Sequence, residues 1–115
     1  MRDTSQAPEI RECIRECETC HGVCLDTLNQ CLGRGGPAAD PEQLRLLLDC
    51  AEICQTSANF MRRNSALHVE TCQACAAVCE RCAESCEGDA DEALDACAAV
   101  CRRCAESCRQ LCSAE

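Results

Sequence analysis

The chain has 115 residues and a net charge of −9, with 17 cysteines, no lysine, no tryptophan or tyrosine, and a single phenylalanine, Phe60. That length suits one domain, but the composition excludes an ordinary aromatic and aliphatic core. The 11 arginines are interspersed with acids, which excludes the clustered cations that nucleic-acid binding requires and leaves a solvated surface. No run is long and apolar enough to span a membrane, and MRDTSQAPEIREC lacks the apolar core of a signal peptide. The expected location is the cytoplasm, where thiols stay reduced. An odd cysteine count also leaves at least one thiol without an intrachain partner.

The first predicted element is a helix near 9–32. It carries Cys13, Cys17, Cys20, Cys24 and Cys31, whose steps of 3, 4 and 7 follow the helical period. LGRGGPAADPEQ then breaks the pattern. Gly33, Gly35 and Gly36 stop a helix, and Asp40-Pro41-Glu42 supplies a cap, a first-turn proline and an acid suited to the helix dipole. A second helix near 41–63 follows, with the stripe Leu47, Cys50, Cys54, Ser57, Met61. Leu44, Leu48, Ile53 and Phe60 lie off that stripe and suit packing at helix flanks or at a subunit interface.

Asn64 or Ser65 can cap a third helix near 66–87, which carries Cys72, Cys75, Cys79, Cys82 and Cys86. Gly88-Asp89 ends it, and Asp89 or Asp91 starts a fourth helix near 90–113 with Cys97, Cys101, Cys104, Cys108 and Cys112. CAAVCERCAESC in the third helix returns as CAAVCRRCAESC in the fourth, with Glu80 replaced by Arg102. This repeat covers only the last two helices, which argues against a solenoid. On a helical wheel each five-cysteine group falls within an arc of about 80° or less. Matched helices with short connections predict an all-α fold, an antiparallel four-helix bundle with a cysteine-lined interior and a single domain over 1–115.

Four readings of such an interior compete. Buried cysteine can act as a small hydrophobe, but so many would underfill a close-packed core. Disulfides suit neither the compartment nor the roughly parallel Cβ vectors of cysteines three or four apart on one helix. A discrete zinc or iron–sulfur site gathers four ligands at one point, usually on loops. Here the thiols run down whole helices, with no Pro or Gly within Cys72–Cys86 or Cys97–Cys112.

The fourth reading is a store of Cu(I), which soft thiolate selects. Cu(I) accepts two or three sulfurs, and cysteines four apart on a helix sit roughly 6 Å apart. Bare thiolates could not be buried together, because desolvation would keep them protonated. One Cu(I) per thiolate leaves the interior neutral, whereas each divalent tetrathiolate site keeps two negative charges. Loading should release protons. Nothing in the sequence resembles an acid–base pair, an activated nucleophile or a phosphate loop, so no turnover chemistry is expected. The rival readings are metallothionein-like zinc or general metal detoxification, and a thiol redox protein, which would need an exposed thiol of low pKa.

Four cysteine-striped helices, CxxxC pairs on each, and the run FMRRNSALHVETCQACAAVCERCAESC resemble the bacterial copper storage proteins, in particular their cytosolic branch. The resemblance covers essentially the whole chain. It implies a four-helix bundle, usually tetrameric, whose bore holds many Cu(I) ions, with copper donor or acceptor proteins as partners. Carried over residue by residue, it implies that Cys13, Cys17, Cys20, Cys24, Cys31, Cys50, Cys54, Cys72, Cys75, Cys79, Cys82, Cys86, Cys97, Cys101, Cys104, Cys108 and Cys112 are metal ligands.

Two further residues lie on the stripes. His68 precedes Cys72 by one turn, and Met61 follows Cys54 by two. Antiparallel helices bring both to one end of the bundle, beside Cys13 and Cys112. Neutral ligands at such a mouth could hand Cu(I) to the thiolates. The plainer alternative makes Met61 a core plug and His68 a first-turn polar residue. Asn64 can line the opening or cap a helix, and His21 suits a helix flank. The other end, with the Gly-rich loop, Cys31 and Cys86, is the competing way in.

Overall fold

A computed structural model describes residues 7–113, so residues 1–6 and 114–115 of the expected domain lie outside the described residues. Helix α1 spans Pro8–Arg34. Pro8 opens it at a position where the missing N–H is no loss, and the Ala7 carbonyl accepts from Ile10 N and Arg11 N. Gly33 stays helical, so α1 runs past the expected end near residue 32. It stops at Gly35, whose φ of 68° is open to glycine, and Gly35 N donates to the Cys31 carbonyl at 3.1 Å.

A short 3₁₀ turn, Gly36–Ala39, leads to α2, Pro41–Arg62. Asp40 Oδ2 accepts from Gln43 N at 3.1 Å and caps α2. Asn64 takes the left-handed conformation, φ 54°, and closes the end of α2 by donating its N–H to the Met61 carbonyl. Ser65 Oγ accepts from Leu67 N at 3.0 Å. The regular helix α3 therefore starts at His68 and runs to Cys86. Gly88, φ 73°, turns the chain, and its N–H donates to Asp95 Oδ1 at 2.9 Å. Helix α4 spans Glu92–Ser113, with Asp91 Oδ1 accepting from Ala93 N at its start.

The connections are far shorter than the helices, so sequential neighbours run antiparallel. Helix α1 packs on α2, α2 on α3, α3 on α4, and α4 closes on α1. The result is a four-helix bundle 56 Å long and about as wide as deep, 23 by 19 Å. No strand occurs among the described residues. Ala51, Ala58, Ala76, Ala83, Ala98 and Ala105 are buried beside the cysteine stripes. Such small side chains let helices approach closely, which brings thiols from different helices into contact.

The single difference between the two repeats serves this packing. Glu80 on α3 pairs with Arg109 on α4, at 2.5 Å, while Arg102 on α4 pairs with Glu87, just past the end of α3, at 2.9 Å. Arg62 holds Glu18 across α1 and α2 at 2.7 Å. These pairs are exposed and each contributes little. Of the off-stripe residues of α2, Leu44 and Ile53 pack half-buried against the core. Leu48 is 47% exposed, and the Arg63 guanidinium covers the Phe60 ring.

Candidate metal centre

Sixteen of the 17 cysteines are buried, and Cys112 is half-buried. All are free thiols. Their arrangement follows from antiparallel register, since residue numbers fall on one helix as they rise on its neighbour. Between α1 and α4 the thiols form a ladder. Cys13 meets Cys108 at 3.6 Å, Cys17 meets Cys104 at 3.7 Å, Cys20 meets Cys101 at 3.8 Å, and Cys24 meets Cys97 at 3.8 Å. Between α2 and α3 the thiol rungs are Cys50–Cys79 at 3.5 Å and Cys54–Cys75 at 3.7 Å.

The two ladders touch across the bundle axis. Cys50 lies 3.8 Å from both Cys20 and Cys101, and Cys54 lies 3.8 Å from Cys104. The sulfurs therefore fall into overlapping groups, each with all members within 4.8 Å of one another. These are Cys20/Cys24/Cys50/Cys101, Cys20/Cys50/Cys54/Cys79, Cys54/Cys75/Cys79/Cys104 and Cys17/Cys75/Cys104/Cys108, with the trio Cys13/Cys72/Cys108 beyond. Neighbouring four-membered groups share two sulfurs, so the set forms one continuous path along the bore.

The flanks differ. Beyond Cys54 on α2, Ser57 takes the place of a thiol and its Oγ lies 3.5 Å from Cys72 Sγ. Cys72 also donates to Met61 Sδ at 3.9 Å. Met61 is 1% exposed, so it lines the bore beside the Cys13/Cys72/Cys108 trio. His68 is half-buried and its Nδ1–H donates to the Ser65 carbonyl at 3.0 Å, which leaves Nε2 as its acceptor nitrogen. The Cys112 thiol donates to the carbonyl of Val69, the residue after His68, at 3.6 Å. It borders a surface groove shared with Gln73, Ala76 and Arg109. His21 is held away from the thiol path, its Nδ1–H bonded to the Ala51 carbonyl of α2 at 2.8 Å.

At the Gly-rich end, Leu47 and Leu94 fill the core. Cys31, Cys82, Cys86 and Cys97 lie outside the groups of three or more, and Cys97 joins the path through Cys24. Arg34 pairs with Asp91 over this end. Gln43 Nε2 donates to the Ser85 carbonyl at 2.9 Å and lies 3.9 Å from Cys86 Sγ. Sequence reasoning passed over both Gln43 and the buried Thr27. Their spacing was the available signal, because Gln43 lies one turn before Leu47, and Thr27 lies between Cys24 and Cys31 in stripe register.

Hydrogen bonds among the thiols divide the set, lowering Cys20, Cys50, Cys75, Cys97 and Cys104 and raising their partners, while burial opposes charge on all of them. Neighbouring thiols hold Cys54, Cys79, Cys101 and Cys108 far above the ordinary thiol range. The leading partner is Cys104 for Cys54, Cys79 and Cys108, and Cys20 for Cys101, with burial adding in each case. Burial, then the nearby Asp91 carboxylate, raises Cys31. Burial raises Cys112 to about 11. A cation entering the bore must displace protons, and it then meets a soft, buried environment lined mainly by sulfur. Among the described residues, no helix is long and apolar enough to cross a membrane.

The family described as Csp, copper storage protein, matches residues 6–113. Among solved structures, the chain is similar to Nmul_A1745 from Nitrosospira multiformis, at 41% identity and a TM-score of 0.87, covering 93% of this chain and 97% of that one. It is similar to the Cu(I)-bound copper storage protein BsCsp3 of Bacillus subtilis, at 31% identity and a TM-score of 0.87, covering 90% and 98%. It also resembles a cytosolic copper storage protein from Streptomyces lividans carrying five coppers, at 29% identity and a TM-score of 0.83, covering 91% and 92%.

Proposed function

The chain belongs to the copper storage protein family, and on that premise we propose that it stores multiple Cu(I) ions on the cysteine thiolates of its bundle core. The observation that carries this reading is the unbroken sulfur path, in which neighbouring four-thiol groups share members. Cu(I) accepts two or three sulfurs, and a shared thiolate bridges two ions. Each ion replaces a proton, so the bore stays close to neutral as it fills.

In this reading all 17 cysteines are ligands. The groups at the middle of the bore hold the densest copper, and Cys31, Cys82, Cys86 and Cys97 extend it toward the Gly-rich end. Met61 adds a thioether beside Cys72, and His68 Nε2 is its imidazole counterpart at the same end. Helix α2 contributes only two cysteines, so bridging sites are fewest beside its Leu47 and Ser57 flanks. The protein acts in the cytoplasm, as the Streptomyces lividans relative does, assembles as a homotetramer, and exchanges copper with donor and acceptor proteins. Its work is binding rather than turnover.

Anaerobic titration of the reduced protein against a high-affinity Cu(I) chelator tests the reading. Uptake on the order of one Cu(I) per cysteine is expected, because bridging thiolates are shared. Saturation at one or two ions would refute it. Stopped-flow loading tests the mouth. His68→Ala should slow copper uptake or removal while leaving capacity nearly unchanged, and an unchanged rate returns His68 to a helix-start role.

A further inference from the structure

The thiols of one group sit at the corners of a nearly regular tetrahedron. Cys20 lies 4.0 Å from Cys24 and 3.8 Å from Cys50 and Cys101, Cys101 lies 3.8 Å from Cys50 and 3.9 Å from Cys24, and the last edge is under 4.8 Å. A tetrahedral zinc site has a metal–sulfur distance of about 2.3 Å, which corresponds to edges of about 3.8 Å. A linear two-coordinate ion would spread two sulfurs further apart than this. The group Cys54/Cys75/Cys79/Cys104 has the same character, with Cys54 at 3.7, 3.6 and 3.8 Å from the other three and Cys75 at 3.8 Å from Cys79. These two groups have no sulfur in common.

We propose that Cys20, Cys24, Cys50 and Cys101 form a tetrahedral site for a soft divalent d10 cation, Zn(II), and that Cys54, Cys75, Cys79 and Cys104 form a second. Each ion replaces four protons and leaves a [Zn(SR)4] unit with two negative charges. The sulfur path then caps divalent loading at two per chain. Consecutive four-thiol groups along the path share two sulfurs, hence a tetrahedron edge, so no more than two of the four groups can be filled without sharing. Two tetrahedra with a common edge place their centres about 2.7 Å apart at that edge length. Repulsion between divalent ions is fourfold that between univalent ones at equal distance. Cu(I) escapes this limit because it carries half the charge and does not require four sulfurs. The proposal goes beyond copper storage and does not rest on it.

The test is an anaerobic titration of the full chain, reduced, with Co(II) as the spectroscopic probe and Zn(II) as its displacer. The ligand-field and charge-transfer bands of tetrahedral thiolate-bound cobalt are expected to grow to two ions per chain and to vanish on adding two Zn(II). The groups predict which variants halve that number. Cys50→Ser breaks both groups that contain Cys20, and the two that remain share Cys75 and Cys104, so capacity falls to one. Ser57→Ala, two turns further along α2 and equally buried, breaks no four-thiol group, so capacity stays at two. A merely structural effect would not separate these variants. Absence of the tetrahedral bands, saturation above two, or equal capacities for Cys50→Ser and Ser57→Ala would overturn the proposal. Cu(I) uptake measured on the same samples reports separately on the storage reading.

Discussion

The two halves of the bore are built on the same helical period and filled differently. Along α1 and α4, four successive rungs are thiol pairs, from Cys13–Cys108 to Cys24–Cys97. Along α2 and α3 there are two such rungs, bounded by Leu47 on one side and by Ser57 and Met61 on the other. Yet Cys50 and Cys54 touch both ladders and belong to three of the four four-thiol groups between them. The difference teaches that ligand number and ligand importance are separate quantities. Helix α2 has the fewest thiols but holds the two that make the sulfur path continuous. Its Leu47 and Met61 supply packing bulk that cysteine cannot.

The sharpest way to break the comparison is the double variant Cys50→Ser/Cys54→Ser. It leaves only Cys17/Cys75/Cys104/Cys108 among the four-thiol groups. Copper capacity by anaerobic titration should fall by more than the two ions that one-for-one loss would give. The matched α1 variant Cys13→Ser/Cys31→Ser, taken from the two ends of the α1 cysteine stripe, should lose about two. Next comes Leu47→Ala, which removes a fully buried side chain from the sparse helix. It should destabilise the metal-free protein by about 3 kcal/mol in chemical denaturation while leaving copper capacity unchanged.

A smaller effect follows from protonation. A thiol whose folded pKa is raised stabilises the fold fully below the unfolded value, and that contribution is lost as pH rises through the folded value. For Cys112 the window runs from 9.0 to about 11. Neighbouring thiols extend it further for Cys54 and Cys101. The metal-free protein should therefore lose stability as pH rises above 9.0, and copper loading should flatten that dependence because copper has replaced the protons. Denaturation midpoints at several pH values check this. The smallest change is Ser57→Cys, which extends the α2 thiol series toward Cys72. It should raise Cu(I) capacity by about one ion and leave the fold intact, as circular dichroism and titration would show.

The helix count, the bundle and the inward turn of the thiols were legible because steps of 3, 4 and 7 leave a cysteine stripe only one buried orientation. The cap at Asp40 was equally readable, since it depends on one residue and its immediate neighbours, whereas which of Gly33, Gly35 and Gly36 would end α1 was not. Ser65 and Asn64 show the limit of such local reading. Either residue could cap a helix, and only the path of the chain between α2 and α3 made Asn64 a left-handed turn and started α3 at His68.

Taken alone, the amino-acid order determined that a narrow sulfur stripe runs down each helix and that α2 is the sparse one, because periodicity is a property of the chain itself. The tertiary structure alone decided which stripes face each other, in what register, and which four sulfurs approach to 3.8–4.0 Å around Cys20. That outcome depends on how closely helices pack over residues such as Ala76 and Ala98 and how far they slide along one another. Those are relations between segments remote in sequence, and no spacing within one helix contains them.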